Sequence, residues 1–103
     1  MEKINEIELI AILKLINRYK KYAIEWVDWI NKELRDMEDA DNIKHLTEIR
    51  QFWDWQKELC IEFEDNVNSS NDINANNIEI IENAINEVSY DDEELKLILN
   101  KLK

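Results

Sequence analysis

The chain has no glycine and no proline. Phosphate-cradling loops, nucleotide-binding turns and tight hairpins need backbone conformations that glycine adopts cheaply, so most of these devices are excluded. Cys60 is the only cysteine, which removes any internal disulfide and with it the case for a stapled secreted scaffold. Long hydrophobic runs are also missing. The longest, Leu9–Leu13, is far short of the roughly 20 residues a spanning helix needs, and Glu2, Glu6 and Glu8 interrupt any leader-like apolar stretch. A cytoplasmic protein is expected, in the host cytoplasm if a phage encodes it. Positive charge is scarce: 13 basic residues stand against 24 acidic ones, net −11. Direct binding to nucleic acid or to an anionic membrane is disfavoured on that ground.

What is present suits a helical protein. Of 103 residues, 45% are apolar and 36% charged, enough to close one small core, so residues 1–103 are read as a single domain. Asn, Ile and Lys supply 39 residues, whereas Ala, Arg, Gly and Pro supply 8. The first group has AT-rich codons and the second GC-rich ones, pointing to a low-GC genome such as that of a Gram-positive bacterium, its phages or a mobile element. The acidity is uneven: residues 1–35 carry net +1, residues 36–65 net −7 and residues 66–103 net −5.

Hydrophobic spacing predicts four helices. Leu9, Leu13, Ile16, Tyr19, Ala23, Trp26, Ile30, Leu34 and Met37 recur at three-and-four intervals, an amphipathic helix over about 2–38. A straight helix of that length would run roughly 50 Å, so it bends near Arg18–Tyr22, builds an elongated bundle, or extends into a second copy. Asp39–Asn42 supplies turn and capping chemistry for a second helix over about 42–67. Its buried face holds Leu46, Ile49, Trp53, Cys60, Phe63 and Val67, widened by Phe52, Trp55 and Leu59. Residues 68–76, rich in Asn, Ser and Asp, read as a loop. Asn76 with Glu79 predicts a cap for a third helix over 77–88 carrying Ile78, Ile81, Ile85 and Val88. Ser89 or Asp91 would cap a fourth over 91–102 that buries Leu95, Ile98, Leu99 and Leu102. No period-two pattern predicts a strand. The expected fold is all-α, a small antiparallel bundle in which a long helical hairpin carries two shorter C-terminal helices.

Catalytic and cofactor chemistry finds little footing, and no catalytic residue, metal site or cofactor is assigned. His45, the one histidine, has Asp41 and Glu48 at helical spacing but no further ligand of fixed position, so it reads as an exposed neutral side chain. Cys60 falls on the apolar face with no basic neighbour at helical spacing to activate it, and reads as a small hydrophobe. Acidic pairs three apart, such as Asp36/Asp39, Glu62/Asp65 and Glu79/Glu82, invite comparison with magnesium-dependent pyrophosphatases. There are seven such pairs where chance placement in this composition gives about five or six, so they are indistinguishable from composition, and no basic set accompanies them to hold a triphosphate. A non-enzymatic protein is expected.

The aromatic residues and one acidic row are more informative. Trp26 and Trp53 lie 14 and 13 residues from a turn centred near residue 40, so an antiparallel hairpin brings them to one level as core. Tyr19, Tyr22, Trp26 and Trp29 form a second stripe, which packs the first helix against both the second helix and the C-terminal pair. Trp29, Tyr22 or Trp55 left partly exposed would serve as interface anchors. Opposite the core face of the second helix stand Asp54, Glu58, Glu62 and Asp65, with Arg50 and Lys57 expected toward the core edge. Like charges so spaced cost about 0.2–0.5 kcal/mol per pair, which interspersed lysines would relieve. A solvated face explains the row as solubility; an anionic surface for a basic partner explains it as function. A single stripe places a charge every 5–6 Å or so, sparser than the roughly 1.7 Å of duplex DNA, so nucleic-acid mimicry would need the further acids at the turn and on the third and fourth helices.

In size, charge and inferred genome composition the chain resembles a type: the small acidic helical proteins of phages and mobile elements that block host nucleic-acid enzymes, the anti-restriction and anti-CRISPR inhibitors among them. That resemblance implies an inhibitor that docks into a basic nucleic-acid-binding site of a host defence enzyme. Asp54, Glu58, Glu62 and Asp65 would steer it and Trp29 and Trp55 anchor it. The alternatives are a homo-oligomeric helical module, such as a homodimer through the long first helix, and a toxin-immunity bundle.

Overall fold

The computed structural model describes residues 4–70, 73 and 77–103. They form four helices: α1 (Glu6–Arg35), α2 (Ala40–Ser70), α3 (Ile78–Val88) and α4 (Glu93–Leu102). The all-α hairpin with two shorter C-terminal helices is therefore what the chain adopts. Its principal extents are 51 × 29 × 18 Å. Thirty residues at 1.5 Å each make α1 about 45 Å long, and it runs uninterrupted through Arg18–Tyr22. The long first helix is therefore not broken at that point, and the bundle it builds is elongated.

Local chemistry sets most helix ends. Asn5 and Glu8 form a reciprocal capping box: Glu8 N–H donates to Asn5 Oδ1 at 2.8 Å and Asn5 N–H to Glu8 Oε1 at 3.0 Å. Lys32 and Arg35 occupy the last turn of α1, where the carbonyl end of the helix favours cations. That helix stops at Arg35, three residues short of expectation. Met37 N–H bonds back to Leu34 O at 3.5 Å, tightening the final turn, and Asp39 then recruits the next helix. Asp39 Oδ1 accepts from Asp41 N–H at 2.9 Å and from Asn42 N–H at 3.4 Å, so α2 begins at Ala40 and not at 42.

At its far end α2 continues through residues 68–70, which were expected to open the loop. Asn and Ser cost only tenths of a kcal/mol inside a helix, and with no Gly or Pro to stop it the helix runs on past buried Val67. Of the remaining loop residues, Ile73 is buried; 71, 72 and 74–76, including the expected cap Asn76, lie outside the described residues. The N-cap position of α3 falls on Asn77. Neither Ser89 nor Asp91 caps α4. Asp92 does, accepting from Leu95 N–H at 3.1 Å. Ser89 instead closes α3: its N–H reaches Ile85 O at 3.0 Å, and its hydroxyl accepts from Arg18 Nη1 at 2.7 Å.

The core sits along α1, which packs against all three other helices. Ile12, Leu15, Ile16 and Tyr19 meet Cys60, Phe63 and Val67 of α2, and Ile80, Ile81, Ala84 and Ile85 of α3 close over them. Leu95, Ile98, Leu99 and Leu102 form the buried face of α4, as spacing predicts. Expected core members Leu13, Trp26, Leu34, Leu46, Ile49, Ile78 and Val88 are only half-buried. Polar ties between the hairpin and the C-terminal pair run from Glu8–Lys101 at the start of α1 to Arg18–Ser89 and Gln56–Asn83 near the middle of the hairpin. The turn-proximal half is two helices thick. Between residues 22 and 55 only Ala23, Ile30 and Trp53 are buried.

One polar group enters the core unannounced by the hydrophobic pattern. Gln56 is 0% exposed. Its Oε1 accepts from the Tyr19 hydroxyl at 2.9 Å and from Asn83 Nδ2 at 3.3 Å, joining α1, α2 and α3. Gln56 Nε2 has no hydrogen-bond partner among the described residues. Burial, with Glu87 and Cys60 nearby, raises the pKa of the Tyr19 hydroxyl well above the usual tyrosine range, so it stays a donor.

Candidate functional site

The half of the hairpin without a covering layer carries an aromatic array. Antiparallel pairing brings Trp26 and Trp53 together as the sequence spacing requires, with ring centroids 5.8 Å apart and planes 3° from parallel. Tyr22 abuts Trp53 edge-on at 5.4 Å, and Trp29 abuts Trp26 at 5.6 Å. From Trp53 the array continues through Phe52 at 5.1 Å to Trp55, a further 6.3 Å on. Trp29 and Trp55, the two predicted anchors, are thus linked through a chain of packed rings. Each is about half exposed, at 49% and 51%.

Phe52 and Trp55 do not widen the buried face. Phe52 is 44% exposed, and none of the described helices buries either ring. The sequence held a signal for Trp55: at about 100° per residue it stands about 160° from Trp53 around the helix. Gln56 had one too, since it shares helical spacing with Trp53, Cys60 and Phe63.

The acidic row is exposed along α2, with Asp54 half-buried and Glu58, Glu62 and Asp65 open to solvent. It is not free of basic residues. Lys57 is half-buried, as a place at the core edge requires, yet its Nζ lies 3.8 Å from both Asp54 and Glu58 and offsets that end of the row. The i,i+3 spacing to Asp54, together with the cost of burying an ammonium, keeps Lys57 beside the carboxylates. Glu62 and Asp65 have no ion-pair partner among the described residues. Arg50 leaves the row alone and donates to Asn31 on α1 at 3.0 Å. Glu64, one position from the row, is held by Lys20 of α1 at 2.9 Å.

Two recesses mark the surface. One, of about 790 Å³, lies between the start of α1 and α4, where Glu8, Glu94, Lys101 and Lys103 mix both signs. Its Glu8 and Lys101 are already paired at 2.8 Å, and that bond, with the Asn5 N–H, holds the Glu8 carboxyl below its ordinary value. The other, of about 350 Å³, is lined by Tyr22, Glu25, Trp26 and Trp29 in the two-helix half.

Cys60 is fully buried, and its thiol is pushed up to about 12 by burial first and by Glu64 second. His45 is exposed. Among the described residues no three His, Cys, Asp or Glu side chains converge on a metal-sized site, and no helix is long and apolar enough to cross a membrane. Comparison with family models, curated proteins and solved structures finds no match to this chain.

Proposed function

We propose that this chain is a non-enzymatic inhibitor that docks its acidic, aromatic-flanked face into the basic nucleic-acid-binding site of a host defence enzyme, in the manner of anti-restriction or anti-CRISPR proteins. The observation that carries this reading is the juxtaposition on α2 of solvent-facing Glu58, Glu62 and Asp65 with half-exposed Trp55 and Phe52. Glu62 and Asp65, which have no ion-pair partner among the described residues, would steer a basic partner and speed encounter. Large rings beside them supply the desolvated contacts that slow dissociation, since aromatic anchors dominate binding hot spots. Lys57 offsets the Asp54 end, so the steering charge concentrates toward Glu62 and Asp65.

The test compares the native chain with the Asp54→Asn, Glu58→Gln, Glu62→Gln, Asp65→Asn variant as baits in lysate from a low-GC host. Captured proteins are identified, purified and assayed for inhibition. The native chain is expected to capture a nucleic-acid-handling enzyme that is lost at high salt, to inhibit it, and to do both far better than the variant. Equal capture and inhibition by both would refute the reading.

A second reading rests on the turn-proximal half being two helices thick. Two such halves could pair into a four-helix bundle, making the chain a homodimer. A concentration-independent monomer mass by light scattering would remove it.

A further inference from the structure

The recess of Tyr22, Glu25, Trp26 and Trp29 has a chemistry distinct from the α2 row. The three rings stand one turn apart on α1 and meet near right angles: Tyr22 and Trp26 at 6.3 Å and 78°, Trp26 and Trp29 at 5.6 Å and 87°. Behind them Trp53 stacks flat on Trp26 and meets Tyr22 edge-on, so the platform is held from the α2 side before any ligand arrives. Trp29 is half exposed above it. Glu25 lies in the wall, exposed, one turn from both Tyr22 and Trp29. It makes no ion pair among the described residues, although Lys21 stands one turn before it.

We propose that this recess receives an arginine side chain of the basic partner. The inference rests on the docking reading for the partner's basic character, but on its own residues for the choice of arginine. Aromatic faces carry negative potential and attract cations, and an unpaired carboxylate among them adds charge of the same sign. A guanidinium is planar and weakly hydrated; it stacks on indole and still presents paired N–H donors to a carboxylate. An ammonium is more strongly hydrated and has no plane to stack. The α2 row acts at long range on total charge and does not tell arginine from lysine. The recess does. Charge steering by α2 and side-chain selection by α1 are therefore separable functions.

The probes are two capped peptides of equal charge, hexa-arginine and hexa-lysine, titrated into the full chain and followed by calorimetry and tryptophan fluorescence. Hexa-arginine is expected to bind at least about fivefold more tightly, the scale of one cation–aromatic contact. Trp29→Ala and Glu25→Gln, both at exposed positions, each abolish that preference; circular dichroism verifies their helicity. The four-carboxylate variant of α2 weakens both peptides alike and keeps the preference. Equal affinity for the two peptides, no binding of either, or a preference that survives both recess variants overturns the assignment. A preference lost only in the α2 variant overturns it too, while leaving the docking reading intact. If instead light scattering shows a dimer that Trp29→Ala returns to monomer, a second copy occupies the recess and the arginine assignment fails.

Discussion

Tyr19→Phe and Gln56→Leu, singly and together, test whether the buried hydroxyl and amide of this core are energetically coupled. Tyr19 is fully buried, and its hydroxyl donates to Gln56 Oε1 at 2.9 Å. Tyr19→Phe removes that bond and keeps the ring, while Gln56 Oε1 retains Asn83 at 3.3 Å. The expected loss is about 1 kcal/mol, a fall in Tm of about 4–8 °C for a chain this size. Gln56→Leu strands the buried hydroxyl, which costs about 1–3 kcal/mol, but also removes the unpartnered Nε2. Asn83 is only half-buried, so water can replace its lost acceptor. In the double variant neither polar group is left in the core, and an apolar pair of similar shape fills the space. The double variant should therefore be more stable than the sum of the single losses by about 1–2 kcal/mol. Urea denaturation followed by circular dichroism measures all four proteins. Single effects that add to within about 0.5 kcal/mol would refute the coupling.

Cys60 should resist alkylation in the native state at mildly alkaline pH and react only on unfolding; rapid native modification would contradict its burial. Its thiol, ordinarily near 9.0, is raised to about 12 in the fold. Between those values the unfolded chain has released a proton that the native chain keeps, so this group lowers stability as pH rises through that window. Trp53→Ala removes the partner of Trp26 and the contacts to Tyr19, Tyr22 and Phe52, and should cost about 3–5 kcal/mol in denaturation. A cost below about 1.5 kcal/mol would mean the stack carries little. Asp92→Ala should cost about 1 kcal/mol by removing the α4 cap, whereas Asp91→Ala, at an exposed position outside the helix, should change stability by less than about 0.5 kcal/mol. Equal effects would show that the cap had been placed on the wrong residue.

The four helices were legible because apolar periodicity is a local code, and no Gly or Pro interrupts it. Even the Trp26–Trp53 stack could be read, since a hairpin turn converts sequence distance into level. Helix ends were legible only where one side chain had no competitor. Asp39 starts α2, but Ser89, Asp91 and Asp92 were all able to cap α4, and the choice fell to Asp92 once Ser89 had engaged Ile85 and Arg18. Spacing counts Phe52 and Trp55 toward the core because hydrophobicity says that a ring prefers burial, not whether another helix is there to bury it. Spacing places Lys57 at the core edge, but that its ammonium reaches back to Asp54 and Glu58 depends on side-chain conformation, which spacing does not give.

By itself the amino-acid sequence determined the helical class, the hairpin, the acidic row and the burial of Cys60, because each follows from residue type and spacing along one helix. Only the tertiary structure decided which half of the hairpin α3 and α4 cover, which rings stay open, and that Gln56 joins three helices in the core. Those outcomes depend on how far two short helices reach across a pair about 45 Å long, a matter of packing between segments distant in the chain.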